Sequence, residues 1–197
     1  MQESFDAMLK DAAATESLGG RLATHLRGGM VVTLSGDLGA GKTTLVRGML
    51  RSLGVSGAVK SPSYALVEEY SFATDAPDHS PPFGLSLSKP TPERPLPFDK
   101  LRANGVHQNN FKFYFYHFDF YRIKDPSEWD SGGFSEYFRD DAVAVIEWPE
   151  KLGDRLPPTD LAVHLTLPSD VAAVGRQVRI VPHSEAGAAC LSAMKTA

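Results

Sequence analysis

Apolar and polar positions along this chain fall into blocks that predict strands and helices in alternation. Glu3 to Leu9 alternate weakly and predict an edge strand. From Ala12 to Leu26, the apolar residues Ala14, Leu18, Leu22, Ala23 and Leu26 share one helical face, so a single amphipathic helix is predicted. Arg27-Gly28-Gly29 is expected to end it through a left-handed glycine, with Thr15 and Glu16 as helix-end residues near its start. Met30 to Ser35 is a β-branched apolar run of strand length, and Thr44 to Leu53 has apolar residues at helical spacing. Between them lies a glycine-rich turn. Beyond the turn at Gly54 to Gly57, Pro62 removes one donor and pushes Ser61 toward extended geometry. Ser61-Pro62-Ser63-Tyr64 is therefore a loop or strand entrance, and Ala65 to Tyr70 a strand.

Order is expected again at Asn110 to Asp119, an aromatic-rich strand with an acid at its C-terminal end. Pro126 to Trp129 and Phe134 to Phe138 predict two short helices parted by Gly132-Gly133. Ala142 to Ile146 is a continuous apolar run, as in a central strand buried on both faces, and Glu147-Trp148-Pro149 follows it. Leu161 to Leu167 and Gln177 to Val181 alternate as a C-terminal antiparallel pair, and Ser184 to Ala197 is a weak helix or frayed end.

The composition between these blocks changes once. Residues 71–109 hold Pro77, Pro81, Pro82, Pro90, Pro92, Pro95 and Pro97 and few periodic apolar positions, so this stretch is expected to be a mobile insertion unable to offset its ordering entropy. Leu85 to Pro90 and Pro97 to Arg102 resemble a repeat-derived peptide found in unrelated bacterial proteins, a passenger without chemistry. With 197 residues, the expectation is one α/β domain, 1–197, interrupted by that insertion. A net charge of -4 argues against a broad basic surface, so nucleic-acid binding by the chain alone is not expected. Cys190 is the only cysteine and cannot form an internal disulfide or a thiolate metal site. No basic leader with an apolar core opens the chain and no apolar run reaches membrane-spanning length. The expected setting is the cytoplasm, without membrane contact.

The turn after the first long strand carries the chemistry. Gly36-Asp37-Leu38-Gly39-Ala40-Gly41-Lys42-Thr43 matches G-x-x-x-x-G-K-[ST], in the order strand, loop, helix that this pattern requires. Glycines can turn successive backbone N–H groups onto a polyphosphate at a helix N-terminus, and the helix dipole favours the same anion. Asp37 to Thr44 are thus the nucleotide-binding candidates. Lys42 would reach the β- and γ-phosphates, and the Thr43 hydroxyl would ligate Mg²⁺. Such a site needs further carboxylates at neighbouring strand ends, and Asp119 and Glu147 are the two candidates.

Together Gly36 to Thr44, Ser61-Pro62-Ser63-Tyr64, His117-Phe118-Asp119-Phe120-Tyr121-Arg122 and Ile146-Glu147-Trp148-Pro149 resemble the bacterial TsaE (YjeE) proteins, over about residues 5 to 182 apart from the insertion. The resemblance implies a P-loop NTPase-like, three-layer α/β fold with a mixed, mainly parallel central sheet and an antiparallel C-terminal strand pair. It implies a Mg²⁺-dependent ATPase of low intrinsic activity that supports threonylcarbamoyladenosine modification of tRNAs reading ANN codons by acting on a TsaB–TsaD complex. Lys42 and Glu147 are then catalytic, Thr43, Asp119 and Glu147 surround the metal, and Ser61, Ser63 and Tyr64 form a switch-like loop facing the γ-phosphate. Family members usually carry threonine where this chain has Ser63, and the hydroxyl survives the change. They also lack the insertion. Trp148 and Arg122 match the pattern without an assigned role, and His117 reads as a strand residue, since no second histidine is spaced for a metal.

Two rivals share the loop. A small-molecule or nucleotide kinase would need an acceptor pocket and an arginine-bearing lid, and the long proline-rich segment offers only Arg94 and Arg102. A GTPase would need an Asn-Lys-x-Asp guanine motif, which the chain lacks. A nucleotide-dependent binding module differs from the ATPase only in hydrolysing negligibly alone.

Overall fold

A computed structural model describes residues 3–74, 111–168 and 174–196. Its strands are β1 (Phe5–Leu9), β2 (Val31–Ser35), β3 (Val67–Thr74), β4 (Phe111–Asp119), β5 (Ala142–Glu147), β6 (Leu161–Thr166) and β7 (Arg176–Pro182). They form one sheet in the order β1-β7-β6-β2-β5-β4-β3. The centre, β6-β2-β5-β4, is parallel, while β7, β1 and β3 add antiparallel strands at the two edges. The helices are α1 (Ala12–Ala23), α2 (Lys42–Ser52), α3 (Glu128–Ser131) and α4 (Glu185–Thr196).

Alternation along the strands sorts the core into two layers, one on each face of the sheet. Val32, Leu34, Phe113, Phe115, Val143 and Val145 point to the face covered by α1, α2 and α4, where they meet Leu18, Leu22, Leu45, Met49 and Met194. Val31, Tyr116, Phe118, Ala144 and Ile146 point the other way, beneath Phe120, Phe134 and Leu152. Phe118 is the hub of that second layer, edge-on to Phe134 and Tyr137 at 6.1 and 5.7 Å between ring centroids. This is the three-layer, P-loop NTPase-like α/β fold expected, and β6 and β7 are its antiparallel C-terminal pair.

The sequence-based boundaries move in physically informative places. Helix α1 stops at Ala23 with Thr24 still right-handed, so no left-handed glycine caps it. Gly29, at φ 85°, instead makes the turn into β2 and donates its N–H to the Ala142 carbonyl at 2.8 Å. Helix α2 begins at Lys42, inside the glycine-rich motif. The C-terminal segment is a full helix, because Cys190, Leu191 and Met194 bury themselves in the first core layer. Residues 71–74, assigned by composition to the insertion, continue β3 and pair with residues 111–114 of β4. The rest of that expected insertion lies outside the described residues.

Candidate nucleotide-binding site

The glycine-rich loop lies at the C-terminal ends of the parallel strands, where open α/β sheets bind ligands. Gly36, Gly39 and Gly41 have φ of 135°, 82° and 105°. A Cβ at Gly36 would overlap the Leu165 carbonyl oxygen of β6, so loop and sheet meet at a distance only glycine permits. Gly41 is the N-cap of α2, and no side chain caps that helix. Its first-turn amides have no side-chain partner among the described residues.

Lys42 is almost fully buried at 4% exposure, a rare state for a lysine. Its Nζ donates to the carbonyls of Gly36 at 2.6 Å and Asp37 at 3.0 Å, and lies 3.7 Å from the centre of the Trp148 ring. Burial lowers its pKa, an effect opposed by the carboxylates of Glu147, Glu150, Asp119 and Asp37. The next residue, Thr43, donates its hydroxyl to Glu147 Oε1 at 2.9 Å.

The two acids are register partners. Asp119 of β4 stands beside Glu147 of β5, and both are buried. Asp119 Oδ1 accepts from the Tyr121 N–H at 3.0 Å, while Oδ2 accepts from the Ser61 hydroxyl. Glu147 Oε1 takes a second hydrogen bond from His117 Nε2 at 2.9 Å. An ionised carboxylate only accepts, so Nε2 carries the hydrogen, and Nδ1 is buried without a partner among the described residues.

These groups line an open pocket of about 410 Å³. Of the residues expected from sequence, Leu38, Gly39, Gly41, Lys42, Thr43, Thr44, Ser61, Ser63, Asp119 and Glu147 face it. Asp37 and Ala40 belong to the loop but do not line the pocket, Ala40 because its methyl is buried in the first core layer. Tyr64 turns outward, 85% exposed, with the Arg122 guanidinium 4.1 Å from its ring centre. Tyr121, Arg122 and Trp148 complete the lining. Trp148 has φ 61°, uncommon outside glycine, and its N–H is tied to the Leu34 carbonyl of β2 at 3.2 Å. The Ser61 to Tyr64 loop is closed by the Leu66 N–H on the Pro62 carbonyl at 2.7 Å, with Leu66 at φ 65°. Arg94 and Arg102, the arginines a kinase lid would draw on, lie outside the described residues.

A hydroxyl and two carboxylates are hard oxygen donors of the type Mg²⁺ takes. Among the described residues no cluster of three or more His, Cys, Asp or Glu side chains could hold a metal by itself. The donor set therefore fits an ion that keeps waters and phosphate oxygens in its shell.

The family model described as threonylcarbamoyl adenosine biosynthesis protein TsaE matches residues 9–80 and 104–178. A Haemophilus influenzae relative, the tRNA threonylcarbamoyladenosine biosynthesis protein TsaE, is 34% identical over 172 residues, 87% of this chain and 82% of its own. The chain belongs to the TsaE family. The Bacillus subtilis protein with the same description is 29% identical over 149 residues, 76% of this chain and 69% of the relative. In fold, the crystal structure of Bacillus subtilis YdiB superposes with a TM-score of 0.66 at 20% identity, covering 100% of this chain and 97% of that one. The TsaE match leaves residues 81–103 uncovered, inside the proline-rich stretch.

Sequence reading took His117 as a strand residue without its tie to Glu147, and did not single out Arg176, which touches the loop from outside the pocket lining of this TsaE protein. His117 precedes Asp119 by two positions on a strand, which puts both on one face, so period-two counting could have exposed it. Arg176 presses on Gly41 from 135 positions away, and no local pattern signals that approach.

Proposed function

We propose that this TsaE protein serves threonylcarbamoyladenosine biosynthesis on tRNA by binding Mg²⁺-ATP in the loop pocket and hydrolysing it slowly. The observation that carries the reading is the hydrogen bond from Thr43 to Glu147, which links the first turn of α2 to a buried acid on the strand next to β2. A hydroxyl and an acid so joined match the metal-holding pair of P-loop enzymes.

The chain's own groups divide the work. Backbone amides of the loop and of the first turn of α2 grip the phosphates, and Lys42 leaves its loop carbonyls to meet them. Thr43, Asp119 and Glu147 would hold Mg²⁺, which would offset charge on the phosphates. Glu147, fixed on one oxygen by Thr43 and His117, keeps the other for the metal side of the site, where the attacking water would sit. Ser61, tied to Asp119, and Ser63 stand at the γ-phosphate end. Acting on a TsaB–TsaD complex in the cytoplasm, and not on tRNA directly, suits an acidic chain.

Calorimetry with Mg²⁺-ATP, followed by phosphate release with and without purified TsaB–TsaD, tests this. We expect Mg²⁺-dependent binding, slow turnover alone and faster turnover with the complex. Glu147→Ala should spare binding while slowing hydrolysis, and Lys42→Ala should abolish nucleotide binding. No Mg²⁺-dependent uptake by the wild type overturns the proposal.

A further inference from the structure

The pocket described so far accounts for phosphates and metal and leaves the nucleoside unassigned. Asp119 and Glu147 lie on β4 and β5, to one side of the loop strand β2, so they mark where the γ-phosphate and metal belong. A nucleotide lying along the loop must send its nucleoside in the opposite direction, over β6 and β7. Arg176 stands at that end, beyond the residues that line the phosphate pocket.

Arg176 is the first residue of β7, antiparallel to β6, which brings it to the same end of the sheet as the glycine-rich loop. Its guanidinium lies against Gly41. A Cβ placed at Gly41 would overlap Nη1 and would come within 3.2 Å of Cζ and 3.4 Å of Cδ. With no side chain at 41, the guanidinium rests directly against the loop backbone. Among the described residues Arg176 makes no ion pair, and its Nε is buried without a hydrogen-bond partner. Buried donors are rarely left unmade, and a guanidinium with an unused Nε–H and no acid partner among the described residues, beside an anion-binding loop, is suited to a ligand. Its planar face can stack on a purine ring, which a lysine in its place could not do.

We infer that Arg176 is the nucleoside-binding residue of this site, stacking its guanidinium on the purine base while Gly41 braces it. The inference rests on the nucleotide reading above and adds the base subsite to it. It also separates two kinds of affinity: the loop, Lys42 and the metal hold the phosphates, and Arg176 holds the base.

The test is calorimetric titration of the full chain with Mg²⁺-ADP and with Mg²⁺-tripolyphosphate, for wild type, Arg176→Ala and Arg176→Lys. Arg176→Ala should weaken ADP about tenfold, the scale of one base stacked on a side chain, and change tripolyphosphate affinity less than about twofold. Arg176→Lys, which keeps the charge and loses the plane, should behave like the alanine variant. If Arg176→Ala fails to fold, the lysine variant decides alone. Equal weakening of both ligands would reduce Arg176 to a brace for the loop, and unchanged ADP affinity would remove it from the site; either overturns the inference. A wild type that binds neither ligand overturns the nucleotide reading itself, a distinct outcome.

Discussion

His117 and Glu147 form a buried pair on neighbouring strands, with Nε2 of the imidazole 2.9 Å from the carboxylate oxygen that also accepts the Thr43 hydroxyl. Both donors converge on Oε1, one from strand β4 and one from the first turn of α2, so the carboxylate is held from two elements and the other oxygen is directed by default. His117 is a positioning residue in this arrangement, since it reaches the pocket only through Glu147. His117→Ala should lower kcat for ATP hydrolysis about tenfold or more, the usual cost of losing an outer partner of a site ligand, with nucleotide affinity nearly unchanged. His117→Gln, which keeps an N–H at similar reach, should recover part of the loss. Equal kcat in wild type and His117→Ala would show that the pair only packs.

Lys42 and Trp148 yield an optical prediction. With Nζ 3.7 Å from the Trp148 ring, the indole senses the ammonium directly, and binding phosphates should draw Lys42 away from both the ring and the Gly36 and Asp37 carbonyls. Trp129, the second tryptophan, is packed among Phe120, Phe134 and Phe138 in the other core layer. Emission should therefore change on adding Mg²⁺-ATP, persist in Trp129→Phe and vanish in Trp148→Phe. A signal that follows Trp129 instead would mean Lys42 does not move.

The α1–α2 crossing is built on glycines facing backbone. A Cβ at Gly19 would overlap the Leu45 carbonyl oxygen, and one at Gly48 would overlap the Glu16 carbonyl oxygen. Nearby, Gly20 has only ordinary neighbours, Gly48 O and Ser52 Cβ, both at 3.6 Å. Gly19→Ala or Gly48→Ala should cost about 1–3 kcal/mol through forced separation of the helices. Gly20→Ala should be neutral or stabilise by up to about 1 kcal/mol through helix propensity. Urea midpoints of the three variants check the order. Because α2 begins at Lys42, a displaced helix should also weaken nucleotide binding in the first two variants and not in the third.

The legible part of this protein was the part written in local periods. β5 reads as a doubly buried strand because every residue from Ala142 to Glu147 is in fact buried, and the motif residues fall at strand ends because the strands stop there. Local pattern failed where tertiary contact decides. The C-terminal segment has no strong amphipathic signature, yet Cys190, Leu191 and Met194 complete a core that α1 and α2 leave open. Tyr64 was grouped with the γ-phosphate loop by its neighbours in sequence, but the turn closed by Pro62 and Leu66 faces it outward under Arg122. Arg176 had no signal at all, since only the fold brings it against Gly41.

Composition also misplaced the edge of the proline-rich stretch, and the correction changes what a deletion should do. Phe72, Ala73 and Thr74 pair with Phe113, Lys112 and Phe111 across β3 and β4, so removing residues 72–108 strips these rungs from an edge strand. Replacing residues 75–110 with a two-residue Asn-Gly turn keeps every described pair and joins ends that the antiparallel register already brings together. Each halving of a flexible connection recovers about 0.6 kcal/mol of closure entropy, so the replacement should stabilise the fold by up to about 2 kcal/mol. Deleting 72–108 should instead lower stability, because Tyr70 and Phe72 pack at the margin of the first core layer and Phe72 is lost. Comparing urea midpoints of the two deletions with the full chain separates these outcomes. Loss of cooperative unfolding in the 75–110 replacement would show that the removed residues hold the β3–β4 edge together.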